Sequence, residues 1–179
     1  MGGIAPVVYL LTSDPLAPAC ICAFFLFWLL LMEFERYLHP GFWAWLFKHF
    51  PGIFKTRPGV LTGDTNFMIA SFLSILYFPY PVAVSNLLFL TFGDAASAMV
   101  GSKYGRFHIF PGKSVEGMIG GIIINTMIAL ILAFYFSISF EILFIGVLVG
   151  SILEVLPLKV DDNLTVGIIP GILMTVFYL

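Results

Sequence analysis

Three groups of acidic residues interrupt a chain whose sequence is otherwise strongly apolar. Asp94 stands in a Gly-Asp-Ala-Ala segment, Glu116 in a Lys-Ser-Val-Glu-Gly segment, and Glu154 precedes the pair Asp161 and Asp162. An ionisable side chain in apolar, membrane-type sequence costs several kcal/mol and is usually functional. Hard carboxylate oxygens suit Mg²⁺, which is typically shared between one or two carboxylates and the phosphates of a substrate. The candidate metal ligands are therefore Asp94, Glu116, Asp161 and Asp162.

Asp94 is the deepest of these carboxylates. It lies nine positions before Lys103, the first basic residue that follows it, which is about 13 Å at the rise of an α-helix. Small residues surround Asp94, so an alternative role is a hydrogen bond between closely packed helices. The cost of placing a carboxylate at this depth favours a catalytic role.

The segment at residues 101–114 combines glycines, basic side chains and a hydroxyl immediately before a predicted helix. Glycines expose backbone N–H groups, a helix N-terminus carries about half a positive charge, and lysine and arginine bind phosphate oxygens. A basic loop beside a membrane would explain the charges alone. The pattern predicts a phosphate or nucleotide site at Gly101, Lys103, Gly105, Arg106, Lys113, Ser114, Gly117 and Asn163.

Two adjacent aspartates precede the last predicted helix. One of them is explained by N-capping, which a carboxylate at a helix start performs well. A second aspartate with Glu154 nearby exceeds what a cap requires, and we predict that both aspartates bind a metal ion or a nucleotide. Asp162 and Lys113 join Asp94 as the candidate catalytic residues, and Glu154 is a supporting residue.

Another polar cluster, at residues 62–66, begins a helix on the same side. Thr62 or Asp64 as the N-cap of that helix is the favoured interpretation. Asp64 and Asn66 are second-rank candidates for supporting the site.

The elements that must position these residues are membrane-embedded helices. The chain is 60% hydrophobic and 10% charged, with a mean hydropathy of +1.06, which excludes a water-soluble domain. Because a bilayer core about 30 Å thick requires about 20 helical residues, the sequence predicts an all-α bundle in one domain over residues 1–179. The predicted transmembrane helices cover about residues 16–37, 62–78, 82–100, 114–136, 140–156 and 163–179. Residues 41–50, rich in tryptophan and phenylalanine, predict an interfacial amphipathic helix.

The basic residues predict the orientation of the bundle. Every Lys and Arg falls after the first, third or fifth predicted span, so both termini lie outside and the site lies at the cytoplasmic face. The net charge of −2 and the confinement of basic residues to short loops argue against a nucleic-acid partner.

Together, these motifs resemble the polyprenol kinase family, which includes phytol kinase, dolichol kinase and CTP-dependent diacylglycerol kinase. The resemblance covers about residues 62–179 and rests on six short segments: Gly93-Asp94, Gly101, Lys103-Tyr104-Gly105, Lys113-Ser114-Val115-Glu116-Gly117, Glu154-Val155-Leu156-Pro157 and Asp161-Asp162-Asn163-Leu164-Thr165-Val166. One departure is Gly167, where the family commonly has proline.

The resemblance implies a multi-pass membrane enzyme. It would transfer the γ-phosphoryl group of CTP to the hydroxyl of a lipid alcohol, with Mg²⁺ as its cofactor. Because the chain is short, the resemblance suggests a compact enzyme of a microbial plasma membrane. The acceptor stays open between a prenyl alcohol, a dolichol-like polyprenol and diacylglycerol, as does the choice between CTP and ATP.

Two alternatives remain. A phosphatidate cytidylyltransferase shares a Gly-Asp and a Lys-x-x-Glu-Gly-like segment, but it carries a basic C-terminal signature, where this chain has Asp161, Asp162 and Asn163. A small ion-coupled transporter would need polar groups near mid-membrane and on the outer half. The sequence instead concentrates its polar groups at one face.

Overall fold

The computed structural model of this protein describes residues 3–49, 60–110, 112–158 and 160–179. Over these residues the chain is almost entirely helical, which confirms the predicted all-α class. The helices are α1 (Ile4–Thr12), α2 (Leu16–Leu38), α3 (Pro40–His49), α4 (Gly63–Tyr77), α5 (Tyr80–Leu88), α6 (Asp94–Tyr104), α7 (Val115–Phe136), α8 (Phe140–Val155) and α9 (Asp162–Tyr178). A two-stranded antiparallel hairpin, β1 (His108–Phe110) and β2 (Lys113–Ser114), precedes α7 and was not predicted.

The predicted spans match observed helices, but fewer of these helices have the length of a membrane crossing. Among the described residues, three helical stretches are long and apolar enough to cross a bilayer: Leu16–Leu38, Tyr80–Tyr104 and Val115–Phe136. α4, α8 and α9 have 15, 16 and 17 residues. At helical rise they measure about 22–26 Å, which is less than a hydrocarbon core of about 30 Å. The structure therefore supports three of the six predicted spans.

Side-chain caps begin the helices that carry most of the site. The Thr62 hydroxyl accepts a hydrogen bond from the Thr65 N–H at the start of α4, and the Ser114 hydroxyl accepts one from the Gly117 N–H at the start of α7. Asp161 caps α9. A cap stabilises a helix start by about 1 kcal/mol, so these polar residues fix where the helices begin.

A π-helical turn, Phe89–Gly93, joins α5 to α6. Turns of this kind insert an extra residue into a helix and occur frequently at functional sites. The Asn125 side-chain amide of α7 donates to the Phe89 carbonyl over 3.2 Å. A Cβ atom on Gly93 would lie 2.2 Å from Asn125 Nδ2, so a larger residue there would displace the Asn125 side chain. The turn therefore packs directly on α7, and Asp94 begins α6 immediately after it.

The helices pack in a continuous series of pairs. α8 packs on α9, α7 on α6 and α8, and α4 on α9 and α2. The largest fully buried apolar side chains of this core are Leu87, Leu143, Met174, Val82, Val84 and Val147.

The outer face of α7 is apolar and exposed. Ile123, Met127, Ile131 and Phe134 point away from the bundle, and Phe134 is 91% exposed. An apolar surface of this extent is unfavourable in water and favourable against lipid chains. The surface agrees with the membrane location that the length and composition of α7 indicate.

Candidate functional site

A small cavity lies between α5, α6, α7, α8 and α9. Its volume of about 20 Å³ holds one water molecule or an ion of similar size. Its polar lining residues are Asn86, Asp94, Asn125, Ser151, Glu154, Asp162 and Asn163. The cavity is too small for a nucleotide, and we call the part of its lining where Asp162 begins α9 its mouth.

Lys113 joins two of the helices at this mouth. Its Nζ atom donates to Asp162 Oδ2 over 2.8 Å and lies 3.9 Å from Glu154 Oε1. Lys113 comes from β2, Glu154 from the last turn of α8, and Asp162 from the first turn of α9. The structure therefore brings together three residues that the sequence predicts for the site, across 49 positions of the chain.

The charge of Lys113 is maintained by its neighbours. Burial lowers the pKa of Lys113, but the hydrogen bond that Lys113 donates to Asp162 and the charges of Asp162, Glu154 and Asp94 outweigh burial, so its pKa lies above the ordinary value. Lys113 is therefore protonated at neutral pH. A cation held at this position is suited to binding a phosphate.

Asp94 completes the group of charged side chains around the cavity. It interacts electrostatically with both Lys113 and Glu154. One turn further along α6, the buried Ser97 hydroxyl donates a hydrogen bond to Glu154. α6 is thereby tied to α8 at the level of the cavity, as a site built from both helices requires.

The start of α9 meets the start of α4. The Asn163 N–H donates to Asp161 Oδ1 over 3.0 Å and to Asp162 Oδ1 over 3.1 Å, and the Asn163 side-chain amide donates to the Gly63 carbonyl over 3.4 Å. Capping therefore accounts for Asp161, while Asp162 also binds Lys113. Asp64 follows Gly63 and is exposed.

Asn66 lies in the first turn of α4. Its side chain is 6% exposed, and it does not line the small cavity. A supporting role for Asn66 stays a prediction from the sequence.

The predicted phosphate-binding glycines are packed around the Ser114 hydroxyl. A Cβ atom on Gly105 would lie 2.9 Å from Ser114 Oγ and 2.3 Å from the Gly101 carbonyl, and one on Gly117 would lie 2.8 Å from the Ser97 carbonyl. These close approaches require glycine at Gly105 and Gly117. They explain the motif by packing between α6 and α7, and phosphate binding by Gly101, Gly105, Ser114 and Gly117 stays a prediction.

Three predicted site residues lie just before or just after the β1–β2 hairpin in the chain, and they do not line the cavity. Lys103 and Arg106 are exposed, and Lys103 Nζ lies 5.2 Å from the centre of the Tyr104 ring. The Glu116 carboxylate accepts hydrogen bonds from the Phe107 N–H, at 3.3 Å to each oxygen. Glu116 thus holds the hairpin against α7, whereas Asp94 and Asp162 line the cavity.

Two asparagines within the apolar helices, Asn86 and Asn125, also line the cavity. They were not among the predicted site residues. The Asn86 amide donates to the Ser74 hydroxyl and, over 2.6 Å, to the Gly167 carbonyl. Asn125 Oδ1 is buried and has no hydrogen-bond partner among the described residues. The sequence carried a signal for them, because an asparagine inside an apolar span needs hydrogen-bond partners on a neighbouring helix.

The carboxylates do not form a complete metal cage. Among the described ranges, no group of three or more His, Cys, Asp or Glu side chains is arranged to hold a metal ion. Mg²⁺ commonly binds through one or two carboxylates and completes its shell with water and substrate phosphates. Magnesium binding of that shared kind by Asp161 and Asp162 stays a prediction.

Comparison with known proteins adds little to this geometry. No family model matches the chain, and no solved structure matches it. Over 121 residues the chain is 27% identical to an uncharacterized protein of Rickettsia prowazekii (strain Madrid E), an alignment that covers 65% of this chain and 59% of that protein. The chain therefore spans less than two thirds of the length of the curated relative it matches.

Proposed function

We propose that this protein is a membrane-embedded kinase that transfers the γ-phosphoryl group of CTP to the hydroxyl of a lipid alcohol. One observation carries the proposal. Asp94, Glu154 and Asp162 come from separate helices and line one cavity, and Lys113 interacts with all three carboxylates. Phosphoryl transfer needs cations on the phosphates and a positioned carboxylate more than it needs covalent chemistry. The resemblance of the motifs to polyprenol kinases supports the same activity.

The orientation of the bundle belongs to the proposal. With both termini outside, the hairpin and the starts of α4, α7 and α9 lie at the cytoplasmic face, where CTP is found. Of the basic residues behind this orientation, Lys55, Arg57 and Lys159 lie outside the described residues. α4, α8 and α9 would complete a six-span bundle by local thinning of the bilayer, which costs only fractions of a kcal/mol per Å.

Each residue of the site has a separate role in the proposed reaction. Lys113 exchanges its carboxylate partner for the triphosphate, and Lys103 and Arg106 approach the phosphates from the hairpin. The lipid hydroxyl oxygen attacks the γ-phosphorus, the bond from that phosphorus to the bridging oxygen breaks, and CDP leaves with the bonding electrons. Asp94 accepts the hydroxyl proton. Mg²⁺, held by Asp161 and Asp162 together with the phosphates, would neutralise charge on the transferred group.

A substrate panel tests the proposal. Purified protein in lipid nanodiscs is incubated with CTP or ATP and with prenyl alcohols, polyprenols or diacylglycerol, and nucleoside diphosphate is measured. We expect CDP to form only when a lipid alcohol is present, and EDTA to abolish its formation. Turnover of CTP with phosphatidate alone would indicate a cytidylyltransferase. Ion flux in liposomes without any nucleotide turnover would indicate a transporter.

A further inference from the structure

A second, larger cavity lies between α2 and α4. Its volume is about 510 Å³, and it is separate from the small cavity at the charged site. Its lining residues are Phe24, Phe25, Trp28, Leu29, Met32, Asp64, Phe67 and Met68. We call it the α2–α4 groove.

The spacing of the lining residues shows that the groove follows both helices. Positions 24, 25, 28, 29 and 32 form one face of α2, and positions 64, 67 and 68 form one face of α4. From position 24 to position 32 the groove extends about 12 Å along α2. α2 is long and apolar enough to cross the bilayer, and its Phe24 and Trp28 are 59% and 53% exposed. A groove of this composition is solvated by hydrocarbon chains, since water is excluded from its surroundings.

Among the described lining residues of the groove, Asp64 alone is ionisable, and it lies at the end where α4 begins. Gly63, the preceding residue, accepts a hydrogen bond from Asn163, which lines the small cavity. The charged end of the groove is therefore next to the start of α9, which carries Asp162.

The same end of the groove is held rigidly. Glu33 of α2 accepts hydrogen bonds from the Thr62 N–H over 2.7 Å and from the Thr65 hydroxyl over 3.3 Å, and it forms an ion pair with Arg36 at 2.6 Å. These contacts fix the separation of α2 and α4 at the rim. The width of the groove at this end is therefore determined by contacts within the fold.

We propose that the α2–α4 groove binds the hydrocarbon chain of the lipid acceptor, and that Asp64 accepts a hydrogen bond from the acceptor hydroxyl when the lipid first binds, before the hydroxyl moves to Asp94 for proton transfer; this inference rests on the proposed lipid kinase function. Charge selects the occupant. An uncharged alcohol donates a hydrogen bond to the Asp64 carboxylate, whereas the phosphate of an anionic phospholipid is repelled by it. The groove therefore accepts a neutral lipid alcohol from the bilayer and presents its hydroxyl beside Asn163 and Asp162.

Photocrosslinking tests the location. The protein in nanodiscs is mixed with a long-chain alcohol that carries a diazirine in its chain, and the labelled peptides are identified by mass spectrometry. We expect label at residues 24–32 and 67–68, competed by unlabelled alcohol and not by phosphatidylglycerol. Label spread evenly over the lipid-facing surface, including Ile131 and Phe134, would overturn the proposal.

Substitutions test the effect on turnover. Leu29→Trp fills the groove, and we expect it to raise the KM for the alcohol at least tenfold while the KM for CTP stays unchanged. Ile131→Trp, on the outer face of α7, adds the same bulk and is expected to leave both KM values unchanged. Asp64→Asn is expected to raise the KM for the alcohol about fivefold and to let phosphatidylglycerol compete for the crosslink. Equal KM values for the alcohol in Leu29→Trp and Ile131→Trp would contradict the groove.

The two proposals fail separately. Crosslinks in the groove without phosphoryl transfer from any nucleotide would support the lipid site and contradict the kinase. Phosphoryl transfer with evenly distributed crosslinks would support the kinase and contradict the groove.

Discussion

Lys113 links the carboxylates at the end of α8 and the start of α9, and this contact organises the charged site. Its Nζ atom lies 2.8 Å from Asp162 and 3.9 Å from Glu154. A partly buried lysine between carboxylates is protonated and positioned before any ligand arrives. An anion that binds Lys113, as we propose for the triphosphate, must replace its carboxylate partner.

Asp94→Asn tests the proposed proton acceptor. The substitution keeps the size of the side chain and removes its negative charge, so we expect kcat to fall by about 100-fold or more with the protein still inserted. Turnover in nanodiscs is the measurement, with membrane insertion checked by fractionation. Glu141→Gln, at the opposite end of α8 from Glu154, is the control and should retain wild-type turnover. Near-normal activity of Asp94→Asn would remove Asp94 from the mechanism.

Lys113→Met tests the phosphate-binding cation. The thioether side chain has a similar length but no charge, so we expect the KM for CTP to rise at least tenfold, whereas Lys113→Arg retains part of the affinity. Steady-state kinetics with varied CTP measures the change. An unchanged KM for CTP in Lys113→Met would show that the triphosphate binds elsewhere.

The raised pKa of Lys113 predicts how CTP binding depends on pH. A group whose pKa is higher in the folded protein contributes stability that is present below its ordinary value of 10.5 and is lost as the pH rises through its folded value. We therefore expect no loss of CTP affinity from Lys113 between pH 7 and pH 9. A titration of the KM for CTP checks this, and a loss that disappears in Lys113→Arg would contradict it.

At the scale of elements, Glu33 joins α2 to α4 through the cap of α4. Glu33 forms an ion pair with Arg36, three residues further along α2. The sequence did not predict that Glu33 also accepts a hydrogen bond from the Thr62 N–H. That contact depends on the packing of helices that are 29 positions apart, which local sequence does not encode.

Glu33→Gln should loosen this connection. The amide loses the charge that pairs with Arg36, and we expect a loss of about 1–3 kcal/mol in stability. Thermal unfolding in detergent measures it as a lower Tm. Glu35→Gln is the matched control, because the Glu35 side chain is 60% exposed and its Tm should be unchanged. Equal Tm values for both variants would contradict the role of Glu33.

Gly117→Ala tests the close packing of α6 on α7. Its Cβ atom would lie 2.8 Å from the backbone carbonyl of Ser97, which has little freedom to move, so we expect a loss of about 1–3 kcal/mol. Gly41→Ala is the control, because no atom lies within 4 Å of the added Cβ. Thermal unfolding of both variants decides, and a Gly117→Ala Tm at or above that of Gly41→Ala would contradict the packing.

The helices were predictable because apolar runs of helical length, ended by proline or polar caps, determine them locally. The observed boundaries of α2, α7 and α8 lie within about one residue of the predicted spans. The π-helical turn before Asp94 was not predicted, because it depends on how Asn125 packs against Phe89. The short hairpin was missed for a similar reason, since its strands have only three and two residues.

In the molecule as a whole, the charged side chains of the site lie together around one cavity. Asp94, Glu154 and Asp162 line one cavity and Lys113 contacts two of these carboxylates, so residues that the sequence predicted for one site are close together. Lys103, Arg106 and Glu116 were predicted for the same site but lie outside the cavity lining. The spacing of residues along a loop does not determine on which side of a hairpin their side chains lie.

The proposed orientation can be tested by cysteine labelling. In a background with Cys20→Ala and Cys22→Ala, Ser102→Cys should react with a membrane-impermeant maleimide only in inside-out vesicles, and Leu11→Cys only in right-side-out vesicles. Both positions are exposed. Reaction of both cysteines from one side of the membrane would contradict the six-span orientation.

Phosphoryl transfer itself is measured most directly with CTP labelled by different phosphorus isotopes at its α and γ positions. The protein in nanodiscs is incubated with this CTP and a long-chain lipid alcohol, and the lipid and aqueous fractions are counted for both labels. We predict that the γ label alone enters the lipid and that the α label stays in aqueous CDP. Entry of the α label into the lipid, or absence of both labels from it, would contradict a kinase at the Lys113, Asp94 and Asp162 site.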